Sequence, residues 1–264
     1  MHTLSRGALA VPLVFAAAVV AAHDTWLSGP ATAMPGAPVP FQLTSGGAFP
    51  APDHAIEASR IAKSLCRVDG QEAPLRAGAR MRQALRLRAR DLPAGVAACG
   101  VALHPRTLDL DPAEVEHYLE EIGASGTIGP RWKALPSPRK WRETYVKHAK
   151  AFTRVGTKEN ASWTEPLGLG LEIVPVADPT RLRAGATLAV RLLKGGRPLA
   201  GLALRAAHAG QPAAFVTTGA DGQASFVLDA PGPWLIAGTE LRPSAARPSE
   251  WESDFTTLHL DVAK

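Results

Sequence analysis

The sequence is poor in the residues that usually announce chemistry. It has two cysteines, Cys66 and Cys99, two tyrosines and three methionines in 264 residues. It has no Cys- or His-rich tract of the kind a dedicated metal store uses. It carries no G-x-S-x-G, H-E-x-x-H, Walker loop or G-x-G-x-x-G, so no enzyme class is indicated and the protein is not expected to be an enzyme. The 29 basic and 24 acidic residues are mixed along most of the chain, for a net charge of +5. That distribution lacks the basic face of a nucleic-acid binder, so no nucleic-acid partner is expected. Beyond residue 22 no apolar run approaches the ~20 residues that a membrane-spanning helix needs. No integral membrane segment is therefore expected in the mature chain.

What is abundant is punctuation. The 24 glycines and 23 prolines disfavour long helices and point to many short elements joined by turns. Residues 1–22 have the pattern of a secretory signal: Arg6 as the charged start, an apolar run from Ala8 to Val20, and small residues Val20-Ala21-Ala22 before a cleavage site. Cleavage after Ala22 leaves 242 residues, periplasmic or secreted, with His23 first. The α-amine and imidazole of one N-terminal histidine can chelate a single metal ion, and nickel(II) and copper(II) favour such nitrogen donors. A cut one residue earlier abolishes that clasp. In an oxidising compartment, Cys66 and Cys99 are expected to form a disulfide, and closing a loop of this length is worth ~3–4 kcal/mol in the chain-entropy picture.

Along the mature chain, alternation predicts strands at Val39–Thr44, Ser59–Val68, Met81–Leu92 and Gly95–His104, with an Asp69-Gly70 hairpin turn. In MRQALRLRARDL, Leu85, Leu87 and Ala89 alternate with Arg86, Arg88 and Arg90, giving one solvated basic face. One helix is predicted at 111–123, from Asp111-Pro112 at its start to Gly123 at its stop, with Val115, Tyr118, Leu119 and Ile122 as its apolar stripe. Residues 126–138 are expected to be a loop, and 138–156 a strand. From 171 onward, turns recur about every ten residues, as in an antiparallel sandwich. The expected fold is mainly β: two antiparallel β-sandwich, immunoglobulin-like domains, at 23–165 and 166–264, with one short helix in the first.

Several stretches together resemble the periplasmic NikK-like accessory proteins of nickel and cobalt importers, many of them known only as a domain of unknown function. His-Asp-Thr-Trp-Leu (23–27) resembles that family's HDxWL opening and Gly-Ala-Phe-Pro (47–50) its G-x-FP element. Residues 116–123 resemble its YLxExG helix. The run 142–150, with Arg142, Glu143, Tyr145 and Lys150, resembles its REx(Y) strand, although Lys147 stands where the family often has arginine. The second half, with GRPLAG (196–201) and TGADGQA (218–224), resembles transthyretin-like or carboxypeptidase-regulatory-like sandwiches. The resemblance implies a periplasmic protein that handles Ni2+ or Co2+, with Cu2+ as the alternative, beside a membrane metal importer. It carries His23, Asp24 and Trp26 over as motif positions, but it does not make His148 a ligand.

Residue chemistry then asks for a second imidazole. His54, His104 and His148 are the first-domain candidates, with His148 favoured for its place in the most polar strand and His104 next. Asp24 is expected to supply an oxygen or to orient the His23 ring. The competing reading is an exported scaffold that binds protein or glycan through exposed Trp26, Trp132, Trp141 and Trp163.

Overall fold

The structure, a computed structural model, describes residues 23–209, 211 and 213–264. The expected signal segment, 1–22, lies outside the described residues. The first half of the chain contributes β1 (Asp24–Ser28), β2 (Thr32–Ala33), β3 (Val39–Gly46), β4 (His54–Ala55), β5 (Ile61–Val68), β6 (Gln71–Pro74), β7 (Arg76–Arg80), β8 (Leu85–Ala89), β9 (Gly95–Leu103) and β10 (Arg106–Leu110). Two helices follow, α1 (Val115–Glu121) and α2 (Ser125–Lys133), and then the long β11 (Trp141–Val155). The second half contributes β12 (Leu171–Pro175), β13 (Ala186–Lys194), β14 (Arg197–Pro198), β15 (Ala203–His208), β16 (Ala214–Thr217), β17 (Gln223–Leu228), β18 (Gly232–Pro243) and β19 (Trp251–Val262).

The protein is mainly β, as its turn density requires, and its strands form three sheets. A five-stranded sheet runs β1-β3-β8-β7 with β4 beside β3, and a four-stranded sheet holds β12-β13-β14 with β17 beside β13. A ten-stranded sheet runs β16-β15-β18-β19-β11-β9-β5-β6, with β10 and β2 also pairing β11. The ten-stranded sheet is the middle layer and carries a core on each face. Along β9, Val96 and Ala98 enter the core shared with the four-stranded sheet. Ala97, Cys99 and Val101 enter the core shared with the five-stranded sheet. A strand buried on both faces has no polar alternation, which is why Gly95–Leu103 is small and apolar throughout.

The expected boundary at 165/166 does not separate the sheets. The N-terminal part of β11 pairs in parallel with β19, from Glu143 opposite Trp251 to Ala151 opposite His259. The middle layer thus passes continuously from one half of the chain into the other. Cys66 and Cys99 face each other across β5 and β9, and they form the expected disulfide. The Asp69-Gly70 turn also forms, with both residues at positive φ, as a tight hairpin needs.

The helical region differs from the sequence reading in two ways. The first helix starts at Val115, four residues later than predicted, after a turn in which the Ala113 amide donates to the Asp111 carboxylate. The segment expected to be a loop contains α2, despite Gly126, Gly129 and Pro130. Propensity is overridden by packing: Ile128 and Trp132 join Tyr118 and Leu119 of α1 in a third core with Trp141, Trp251 and Phe255. Inside it, Trp141 and Trp251 stack at 4.6 Å between ring centroids.

Candidate functional site

The start of β1 pairs with the end of β3, Asp24 opposite Gly46 and Trp26 opposite Thr44. On its other edge β3 pairs with β4, placing His54 opposite Ser45. The intervening loop is closed by local bonds: the Ala51 amide donates to the Ala48 carbonyl at 2.8 Å and the Asp53 amide to the Ser45 carbonyl at 2.9 Å. The Gly47 amide donates to the Asp53 carboxylate at 2.8 Å. Trp26 packs edge-on against Phe49 at 5.5 Å. A Cβ on Gly46 would sit 2.5 Å from the Ala51 carbonyl oxygen and 3.0 Å from the Trp26 ring. The HDTWL opening and the GAFP element are therefore two sides of one packed unit.

That unit brings His23, Asp53 and His54 together. His23 Nε2 lies 3.2 Å from Asp53 Oδ2, and the His23 and His54 rings are 5.7 Å apart. Lys147 of β11 reaches in and donates from Nζ to the His23 carbonyl. Burial lowers the pKa of His54, and the charges of His23 and Lys147 push the same way against the opposing pull of Asp53. A depressed pKa keeps an imidazole neutral, the form that binds metal. Burial also brings Lys147 down to about 8, with Asp24 acting in the opposite direction. Among the described residues, no group of three or more His, Cys, Asp or Glu side chains has the arrangement of a metal site by itself. Protein side chains alone thus leave the cluster short of donors.

His148, the favoured second imidazole, lies on the wrong side of the sheet. Successive strand residues point to opposite faces: Lys147 faces His23, whereas His148 Nε2 faces Asp254 Oδ1 at 3.1 Å. Asp254 is shared with Lys194 and Arg242, and its pKa is held far below the usual range by hydrogen bonds and charge that outweigh its burial. His104 is exposed; its amide donates to the Arg60 carbonyl and its carbonyl accepts from the Arg60 guanidinium. Asp24 is buried and its carboxylate is engaged by Arg205. The imidazole beside His23 belongs to His54, the third candidate, and Asp53 was not among the expected metal residues. The signal lay in the loop length: the GAFP element ends a few residues before Asp53-His54 and folds them back onto β3, next to the start of β1 where His23 lies.

The remaining motif residues have structural partners. Arg142 pairs with Asp109 on the surface. Glu143 is fully buried, accepting from Tyr118 Oη and Trp141 Nε1, each at 2.9 Å, and from Ser253 Oγ. Tyr145 is half-buried against Phe255. Lys150 is buried 2.6 Å from Glu172, whose carboxylate also accepts the amides of Leu167, Gly168 and Leu169. Trp26, Trp132 and Trp141 are buried and Trp163 is half-buried, so the exposed tryptophan face required by the scaffold reading is not formed. No helix among the described residues is long and apolar enough to cross a membrane.

No curated protein matches the sequence. Among solved structures, a Ca2+-stabilised adhesin with which an Antarctic bacterium binds ice is 13% identical, with a TM-score of 0.25, over 91% of this chain. This chain spans about half (49%) of that one. The fibronectin(III)-like modules of Clostridium thermocellum CbhA are 8% identical, with a TM-score of 0.19, over 90% of this chain and 95% of that one. The family model named Domain of unknown function (DUF4198) matches residues 20–239, and the chain belongs to that family.

Proposed function

We propose that the protein is an exported metal-binding accessory of a nickel or cobalt uptake system, capturing a divalent transition ion at its N-terminal histidine for a membrane importer. Cu2+ is the alternative cargo. The observation that supports this is the convergence of His23, His54 and Asp53 at the start of β1. An amine and imidazole of one histidine chelate through Nδ1, because Nε2 lies too far around the ring to close a compact chelate. Asp53 engages Nε2, the nitrogen that the chelate does not use, and so orients the ring and favours the required tautomer. His54 supplies a third nitrogen, and the His23 amine supplies what the side chains lack. The Lys147 bond to the His23 carbonyl fixes the chain end.

The test is calorimetric titration of Ni2+, Co2+ and Cu2+ into protein beginning at His23. His54→Ala should weaken binding at least about tenfold, as expected for lost support at a metal site. One extra residue ahead of His23 should weaken it further, while His148→Ala should leave it unchanged. Affinity should fall as the pH drops below about 8, where the amine gains its proton, and fall again as the imidazoles protonate. Equal binding by His23→Ala removes the proposal.

A further inference from the structure

The arginine row of β8 is not explained by the metal reading. The β7–β8 hairpin and β6 wall an open groove of about 760 Å3 on the far edge of the five-stranded sheet. Arg76, Arg86, Arg88 and Arg90 line it, together with Asp91. All four arginines are exposed. Arg86 and Arg88 alternate with the buried Leu85, Leu87 and Ala89, so their side chains leave the strand on one face about 6.8 Å apart. Arg76 lies directly opposite Arg88 in the register of β7 and β8. Like charges directly opposed across a ladder are destabilising. No ion pair joins these four arginines to a carboxylate among the described residues, and the nearby Glu72 is held by Arg67 at 2.5 Å.

The wall beside the arginines is a strand edge. β7 pairs only with β8, and Ala77-Gly78-Ala79 line the groove with small, exposed residues. They leave the backbone donors and acceptors of the edge accessible. We propose that this groove receives an extended acidic segment of a partner protein, with Asp or Glu at alternate positions. The period of its carboxylates matches the period of Arg86, Arg88 and Arg90, and its backbone complements the β7 edge, as in recognition by strand addition. A sulfated or phosphorylated polymer offers the charge but not the paired amide donors and carbonyl acceptors.

The probe is a fluorescein-labelled peptide of four Thr-Glu repeats, read by anisotropy with the full mature protein in EDTA, so that metal capture plays no part. The alternating peptide should bind, and raising salt from about 50 to about 300 mM should weaken it. An isomer with the four threonines and four glutamates in separate blocks should bind several-fold more weakly. Arg86→Glu/Arg88→Glu should weaken the alternating peptide about tenfold or more. Arg88→Glu alone places a carboxylate opposite Arg76, so it should raise the thermal midpoint while lowering peptide affinity, a pair of opposite shifts that general misfolding cannot produce. Absence of binding at about 1 mM peptide, equal binding of the two isomers, or no effect of the double substitution overturns the proposal. Arg-dependent binding of inorganic polyphosphate at least as tight as that of the peptide also overturns it, in favour of a general anion site.

Discussion

Glu143 is a carboxylate whose three close partners, Tyr118, Trp141 and Ser253, are all neutral donors. Burial raises its pKa above the ordinary 4.5, against the opposing effect of those hydrogen bonds. A carboxyl whose folded pKa is raised holds its proton more tightly in the native state. Its contribution to stability is therefore present at low pH and is lost as the pH climbs from 4.5 through the raised value. Glu143→Gln removes that titration. The variant should gain on the wild-type protein as the pH rises from about 4 to 8, read as the difference in urea midpoints at each pH. A difference that stays constant across this range would show that Glu143 ionises normally in the fold. The sequence marks Glu143 and Lys150 as unusual through their motif but hides their roles. Ser253 lies 110 residues beyond Glu143 and Glu172 lies 22 beyond Lys150, and only the folded register of β11 joins them. The candidate metal residues show the same division. Which imidazole lies beside His23 could not be read from the sequence, because it depends on β4 folding onto β3, on the face of β11 that His148 takes, and on His104 lying between β9 and β10.

At the level of elements, legibility followed burial pattern. In β8, Leu85, Leu87 and Ala89 are buried and Arg86 and Arg88 exposed, the alternation the sequence shows, whereas β19 is buried along nearly its whole length and shows no such period. The short strands β2, β4 and β6 carry too few residues to show any period, and β7, exposed throughout, has no apolar face to reveal. The helix α2 was hidden for the opposite reason: its glycines and proline speak against a helix, and only tertiary contact with α1 and Trp141 favours one. The disulfide was legible because two cysteines allow only one intramolecular pairing. It clamps directly opposed residues of β5 and β9, 33 positions apart in sequence. The Cys66→Ala/Cys99→Ala variant should lose ~3–4 kcal/mol, measured by urea denaturation against the oxidised protein. A loss below about 1 kcal/mol would mean that the neighbouring ladders already restrict the unfolded chain.

For the whole molecule, the decisive feature is that the middle sheet belongs to both halves. The pairing of β11 with β19, together with cores on both faces of the ten-stranded sheet, couples residues before and after 165. Calorimetry should show one cooperative transition, with matching calorimetric and van't Hoff enthalpies. The separate fragments 23–165 and 166–264 should each lack native near-ultraviolet dichroism, because each exposes a long unpaired edge and half of a core. Two resolved transitions, or a folded fragment, would restore the picture of independent sandwiches. Composition and turn spacing indicated the β class, but a parallel contact between distant strands leaves no mark in local periodicity.

The same pairing sets the order of events during synthesis. The strand that completes the centre is made from residues 251–262, so the middle layer cannot close until those residues are available to pair with β11. Until then β11 waits without its neighbour, and early collapse cannot yield the finished architecture. The halves before and after residue 165 therefore reach their final arrangement together, through one late and long-range pairing.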